Sequence, residues 1–155
     1  MSRHGLPAAL ASGAEIVCVN TASRELPSGT AAARVEEAAS LLAQGRPLIV
    51  FNKIDSRLKG HVRLGIEICL RVFGRQRALL APAVPSQQRI VRDGLIIGDG
   101  VPVPIDVAAC CQGMDNVKIA DGATDADMEQ LARQHDRSTT LLVGASGLGS
   151  GLARA

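Results

Sequence analysis

Short apolar runs rich in β-branched residues alternate with stretches of helical period, and this alternation constrains the fold more than any other feature of the chain. Each run is four to six residues long and mostly apolar, which is typical of strands buried in a parallel sheet. Because helices then connect successive strands, we predict an α/β fold with a mainly parallel sheet and flanking helices. The candidate strands are Glu15 to Asn20, Leu48 to Asn52, Ala78 to Ala81, Val117 to Asp121 and Thr140 to Val143.

Three stretches between these runs have the spacing of amphipathic helices. Thr124 followed by Asp127 predicts a capping box that begins the third of them. Gly45 and Gly74 follow the first two as candidate C-terminal caps. The apolar faces contain Ala31, Val35, Ala38 and Leu42 in the first helix, Val62, Ile66, Cys69, Leu70 and Phe73 in the second, and Met128, Leu131 and Ala132 in the third.

Residues 89–103 interrupt this rhythm. Asp93-Gly94 and Asp99-Gly100 are dipeptides of the hairpin-turn type, and they flank the apolar run Leu95 to Ile97. Since such dipeptides favour the turns that connect antiparallel strands, we predict a projecting β-hairpin here.

Composition excludes several classes of protein. The 155 residues are 46% hydrophobic with a net charge of +2, which fits one soluble domain covering residues 1–155. Aromatic residues make up only 1% of the chain, so stacking platforms for single-stranded nucleic acid are not available. No apolar run approaches the ~20 residues that cross a bilayer. We therefore expect neither a nucleic-acid nor a membrane partner.

Cysteine and histidine spacing gives no sign of a metal site. Cys18, Cys69, Cys110 and Cys111 include no C-x-x-C pair, and the three histidines lie far apart in the sequence. We expect reduced thiols in a cytoplasmic protein, with Cys18 and Cys69 in the core. Residues 6–11 follow a basic start as a signal peptide would, but this apolar stretch is short and contains a proline, so we interpret it as a loop or helix start.

Polar residues follow two predicted strands. Arg24, Lys53, Asp55 and Ser56 all lie just after a strand, and such loops converge at the carboxyl edge of a parallel sheet. Arginine can pair bidentately with a carboxylate, lysine adds a point charge, and aspartate accepts hydrogen bonds from hydroxyl groups. These residues predict a site for a carboxylate and a polyol, although an ion pair between Lys53 and Asp55 that closes the loop is an equal alternative.

Two further motifs suggest a nucleotide. Asn52 to Asp55 (NKID) matches the N-K-x-D guanine-reading loop of GTPases, but the phosphate loop G-x-x-x-x-G-K-[ST] does not occur in the sequence, which makes a GTPase-like function the weaker alternative. Gly144 to Gly151 is a glycine-rich turn after the last strand. Its backbone N–H groups could meet a phosphate, or the turn could simply connect a strand to a helix.

The loop Lys53 to His61 (KIDSRLKGH), which begins within the NKID segment, resembles the K-x-D-S-T-L-R-G-N segment of the four-carbon acid sugar kinases. Arg57 and His61 differ from that segment. Other segments agree in the family's order. They are Thr21 to Arg24 (T-x-S-R), Ala81 to Pro85 with Arg89 (A-P-A-F-P followed by G-R), Asp121 to Met128 (D-A-x-T-D-x-D-L) and Gly144 to Leu148 (a permuted G-S-A-G-L). The resemblance extends from about Ala14 to Ala153.

The resemblance implies the substrate domain of an ATP- and Mg²⁺-dependent kinase of tetronate-like acids. It implies that Arg24, Lys53, Asp55, Ser56 and Arg89 bind the sugar acid and that Ser146 and Gly147 contact the nucleotide. It identifies no catalytic residue. The family's opening D-D-x-T-G strand and its C-terminal ATP-binding domain have no counterpart here, so we expect a truncated domain that is inactive alone. The alternative is a non-catalytic binding protein or subunit that works with a separate chain.

Overall fold

A computed structural model describes residues 13–155. Its main sheet has four parallel strands in the spatial order β1-β7-β2-β6, and a second sheet is antiparallel with the order β3-β4-β5. The predicted α/β class with a parallel sheet is therefore confirmed. The strands are β1 Phe51–Lys53, β2 Arg77–Ala81, β3 Arg89–Arg92, β4 Leu95–Gly98, β5 Ile105–Asp106, β6 Val117–Ile119 and β7 Thr140–Gly144.

Within residues 13–155, four α-helices flank the main sheet, α1 Ser28–Ala43, α2 Val62–Val72, α3 Asp125–Gln134 and α4 Ser146–Arg154. Single turns of 3₁₀ helix occupy Pro85–Gln87 and Ala108–Cys111. Alternate residues of the central strands face opposite layers: Leu80 and Val143 pack in a cluster with α2, whereas Leu79 and Leu142 pack in a cluster that includes Leu148 of α4. Burial on both faces explains why these strands have continuous apolar sequences.

Local sequence signals determine several helix ends. The Thr124 hydroxyl accepts a hydrogen bond from the Asp127 amide, and the Asp127 carboxylate accepts bonds from the amides of Ala123 and Thr124. These backbone donors lower the pKa of Asp127, and the predicted capping box is confirmed. Gly74 adopts a φ of +63° after α2, as a C-terminal cap requires. After α1 the left-handed residue is Arg46 rather than the predicted Gly45.

The predicted hairpin is formed by β3 and β4. Asp93 and Gly94 both have positive φ, as a two-residue type I′ turn requires. The Asp121 carboxylate accepts hydrogen bonds from the amides of both turn residues, at 2.7 and 3.0 Å. Val91 and Ile96 are buried in the core, so the inner face of the hairpin packs on the main sheet, while β5 adds a third strand that the sequence did not predict.

The prediction of a first strand at Glu15 to Asn20 is wrong. This segment has no strand structure, and the side chain of Ile16 is 88% exposed. Cys18 is exposed as well, which corrects its placement in the core, whereas Cys69 is buried as predicted. Burial raises the pKa of Cys69 to about 11. A β-branched sequence forms a strand only beside a neighbour that shares its backbone hydrogen bonds, and no described residue supplies one here.

The outer edge of β1 is open within the described residues. Val50 and Ile54 bond to β7, so the backbone groups of Phe51 and Lys53 face the other way. No strand among residues 13–155 pairs with that edge. In the same part of the chain, no helix is both long and apolar enough to cross a membrane. His4 and the stretch interpreted as a loop or helix start lie outside the described residues.

Candidate functional site

The loop Lys53 to His61 connects β1 to α2 and is shaped around Asp55. Asp55 Oδ1 accepts hydrogen bonds from the amides of Arg57 at 2.8 Å and Lys59 at 3.5 Å. The Leu58 amide donates to the Asp55 carbonyl at 3.0 Å, and Leu58 has a φ of +59°. This turn holds consecutive polar side chains at the carboxyl end of β1.

Arg24 lies against this loop, but the strand that was predicted to precede it does not form. Its Nη1 is 3.4 Å from Asp55 Oδ2, and its Nε donates to Glu25 at 2.8 Å. A Cβ atom built on Gly60 would lie 2.7 Å from Arg24 Cγ, so glycine is needed for this close approach. His61 Nε2 also bonds the Leu26 carbonyl at 2.7 Å. The predicted adjacency of Arg24 and Asp55 is therefore confirmed.

Ser56 is connected to Arg89 of β3. Arg89 Nη1 donates to Ser56 Oγ at 2.6 Å, and Nε and Nη2 donate to the Asp99 carbonyl at 3.0 and 2.9 Å. Nη1 also lies 3.3 Å from Gln87 Oε1. Arg89 thus fastens the hairpin to the loop, and most of its donors are already used within the protein.

Lys53 has no carboxylate partner among residues 13–155. It is the last residue of β1 and is exposed. The alternative of a Lys53–Asp55 ion pair is therefore wrong, because Arg24 occupies the carboxylate instead. A cation without an internal counter-ion is available to an anionic ligand, whereas Arg24 already shares its charge with two carboxylates.

An open cleft of about 500 Å³ adjoins the loop. Its walls are Arg57 and the connection Gly98 to Pro102, which follows β4. Arg57 Nε is buried and has no hydrogen-bond partner in the described part of the chain. In the sequence, Arg57 is notable only because it departs from a motif, and no role is predicted for it. A linear sequence does not show which cations lack a partner in the folded protein.

The residues predicted to contact a nucleotide begin α4 at the same sheet edge. The Gly144 carbonyl accepts a hydrogen bond from the Ile54 amide at 2.9 Å, so the two loops are neighbours. Ser146 is exposed. A Cβ atom on Gly147 would lie 2.2 Å from the Ala83 carbonyl oxygen, so Gly147 permits close packing of α4. Its predicted role toward a nucleotide stays a prediction.

The geometry of the NKID segment differs from that of a guanine-reading loop. Asn52 Nδ2 is buried without a partner and would lie 2.9 Å from a Cβ atom on Gly65 of α2. Asp55 oxygens bond the loop backbone and Arg24. Because its amide nitrogen is buried, Asn52 is not available to read a base. Among residues 13–155, no three histidine, cysteine or acidic side chains form a group that could hold a metal ion.

Comparison with protein families adds to this geometry. The family described as sugar-binding N-terminal domain matches residues 1–109. The chain belongs to this family. The match includes the loop Lys53 to His61, Arg24 and the hairpin, so the cleft beside Arg57 lies within the family's sugar-binding domain.

The curated relatives are D-threonate kinases. The enzyme from Salmonella typhimurium is 32% identical over 91 residues, covering 58% of this chain and 22% of its own length. The enzyme from Bordetella bronchiseptica is 27% identical over 178 residues, covering 91% of this chain and 44% of its own. The chain thus spans less than half the length of these relatives.

Solved crystal structures also resemble this chain. A domain of unknown function from Bordetella bronchiseptica, a domain-swapped dimer with bound citrate, has a TM-score of 0.82 at 26% identity and covers 98% of this chain and 48% of its own. A Haemophilus influenzae protein has a TM-score of 0.67 at 17% identity, covering 84% of this chain and 43% of its own. The second likeness supports the fold alone.

Proposed function

We propose that this chain binds a four-carbon sugar acid at the loop Lys53 to His61 and is the substrate-binding part of an ATP-dependent sugar-acid kinase. One observation carries the proposal: Lys53 has no partner in residues 13–155 and lies at the sheet edge where Arg24, Asp55 and Ser56 meet. The family description, the D-threonate kinase relatives and the citrate in the Bordetella structure support it.

Each loop residue has a distinct task in this proposal. Lys53 binds the carboxylate of the acid as a point charge. Asp55 accepts hydrogen bonds from the hydroxyl groups of the acid, and the Ser56 hydroxyl donates to them, which orients the carbon chain of the acid. Arg24 acts mainly by holding the Asp55 carboxylate, and Arg89 acts by holding Ser56 and the hairpin.

The involvement of ATP and Mg²⁺ is inferred from the family alone. ATP supplies the phosphoryl group that a kinase transfers to a hydroxyl of its substrate. In residues 13–155 no group of three or more histidine, cysteine or acidic side chains could hold a metal ion, and Gly147 is packed against Ala83. Of the two residues predicted to contact the nucleotide, the exposed Ser146 is the better candidate. Cytoplasmic location belongs to this proposal too, in keeping with four free thiols.

Replacing Lys53 with alanine should weaken sugar-acid binding about tenfold or more. The variant removes a charge-assisted contact, which is typically worth ~1.5–3 kcal/mol. Isothermal titration calorimetry with D-threonate, erythronate and 3-oxo-tetronate measures the dissociation constants. Lys118→Ala is the matched control, since Lys118 is an exposed lysine on β6 at the opposite edge of the same sheet. Equal affinities of the Lys53→Ala and Lys118→Ala variants would refute the proposed site.

A second candidate function is that of a non-catalytic subunit that works with a separate chain. The open outer edge of β1 and the exposed segment Glu15 to Asn20 favour it, because an unpaired edge can accept a strand from another protein. Analytical ultracentrifugation of the chain, with and without the remaining part of a D-threonate kinase relative, tests it. A stable complex would support this function, and two independently sedimenting species would exclude it.

A further inference from the structure

The cleft between Arg57 and Gly98 to Pro102 adjoins the loop Lys53 to His61, which contains the proposed carboxylate site. We propose that Arg57 binds a second anionic group at the far end of the ligand, so that the site favours a doubly charged sugar acid over a singly charged one. This inference rests on the proposed function, because it uses the same loop and the same ligand class. The second group is a carboxylate, as in a sugar diacid, or a phosphate, as in a phosphorylated sugar acid.

Arg57 is a cation that the protein itself leaves unsatisfied. Its side chain is half-buried, its Nε is buried without an acceptor in the described residues, and no carboxylate in residues 13–155 forms an ion pair with it. Partly buried guanidinium groups are normally paired, because a desolvated charge without a partner destabilises the folded state. An anion in the cleft would supply a counter-charge for this guanidinium group.

The position of Arg57 is fixed by the loop. Its amide donates to Asp55 Oδ1 at 2.8 Å, in the same turn that arranges the proposed sugar-acid residues. Lys53 and Arg57 are four residues apart, so their Cα atoms lie at most ~14 Å apart even in an extended chain. The turn at Leu58 makes the loop more compact than that. The proposal places one small ligand in contact with both cations, which this short separation along the chain allows.

A second guanidinium group, that of Arg89, lies close to Gly100, although Arg89 itself does not line the cleft. A Cβ atom on Gly100 would lie 3.2 Å from Arg89 Nη2, and Gly100 lines the cleft. Gly98 and Gly100 have no side chains to fill the space. Asp99 also lines the cleft, and its negative charge offsets one of the two arginines. Together, Arg57, Arg89 and Asp99 carry a net charge of +1, which favours one additional anionic group.

The experiment compares ligands of different charge on the full 155-residue chain. Calorimetry uses D-threonate with one acidic group, tartrate with two carboxylates, threonate 4-phosphate with a terminal phosphate, and inorganic phosphate alone. We expect tartrate or threonate 4-phosphate to bind at least tenfold more tightly than D-threonate. The ligand that shows the preference identifies the second group as carboxylate or phosphate.

Variants then connect this preference to Arg57. Arg57→Thr should remove the preference and leave D-threonate affinity within about twofold, whereas Arg57→Lys should retain part of it because the charge remains. Arg92→Ala is the control, since Arg92 is an exposed arginine on β3 outside the cleft. A merely structural role of Arg57 would lower the affinities for all ligands together, which would overturn the proposal.

The outcomes separate this inference from the proposed function. Binding of D-threonate that depends on Lys53, without any preference for a doubly charged ligand, would refute the role of Arg57 and retain the sugar-acid site. A preference for inorganic phosphate that Arg57→Thr abolishes, without D-threonate binding, would retain an anion site at Arg57 and refute the sugar-acid function. No binding of any of the four ligands would refute both.

Discussion

Replacing Gly98 with alanine is expected to lower the free energy of unfolding by ~2–6 kcal/mol, which combines backbone strain with overpacking. Gly98 has a φ of +108°, and a Cβ atom there would lie 1.9 Å from the Gln88 carbonyl oxygen. Neither atom can move without opening the pairing of β3 with β4, because Arg89 pairs with Gly98 in that ladder. Urea unfolding followed by circular dichroism measures the change.

Gly113→Ala is the matched control for Gly98→Ala. Gly113 also has a positive φ, +77°, but a Cβ atom there would meet no heavy atom within 4 Å. It therefore carries the backbone strain without the collision, and its loss of stability should be the smaller of the two. Equal losses would show that the close approach of Gly98 to Gln88 is not present in solution.

Gly147→Ala is expected to destabilise the protein by ~1–3 kcal/mol or more through overpacking. A Cβ atom on Gly147 would lie 2.2 Å from the Ala83 carbonyl oxygen and 3.1 Å from Pro85 Cδ. The collision would force α4 away from the segment that follows β2. Because a helical glycine is otherwise improved by alanine, the sign of the effect separates a packing role from simple helix propensity. Thermal unfolding measures the direction and size of the change.

Gly149 in the same helix provides the control. A Cβ atom there would lie 3.3 Å from the end of the Phe51 ring, which can shift slightly, so Gly149→Ala should be neutral or stabilising by up to ~1 kcal/mol. Ser146→Ala should leave stability nearly unchanged, since Ser146 is exposed. Its effect on ATP binding would then report a nucleotide role separately from packing. A stable Gly147→Ala variant would contradict the packing role.

The regular parts of the fold could be predicted from local signals. Thr124 and Asp127 lie three residues apart and form their capping box within one turn, and Asp93-Gly94 adopts the turn that its sequence favours. Such features depend on neighbouring residues alone. The central strands β2 and β7 could be located as well, because burial on both faces leaves a continuous apolar run.

Features that depend on distant partners could not be predicted. Glu15 to Asn20 has a strand-like composition, but a strand exists only where another strand pairs with it, and no described residue does so. The composition of the short strand β5 does not differ from that of a loop. Asp121 belongs to a sequence motif, yet it accepts hydrogen bonds from the turn residues Asp93 and Gly94, which are 28 and 27 residues away.

The sequence predicts only part of the candidate site, because the rest of the site also depends on distant partners. The carboxyl end of β1 and the chemistry of Lys53, Asp55 and Ser56 follow from the sequence, because loops after parallel strands share one edge. The sequence does not show how charges are shared. Arg24 and Arg89 have internal partners, whereas Lys53 and Arg57 have none in the described residues. That distribution of partners makes Lys53 and Arg57 the better candidates for anion binding.

Two-dimensional ¹⁵N NMR of the labelled chain, titrated with D-threonate and with tartrate, tests the central claim most directly. We expect the largest amide shift changes in the loop Lys53 to His61 with both ligands, and additional changes at Asp99 and Gly100 with tartrate. Spectra of Lys53→Ala should lose most of these changes. Shift changes confined to other parts of the protein, such as α3 or β6, would contradict a sugar-acid site at this loop.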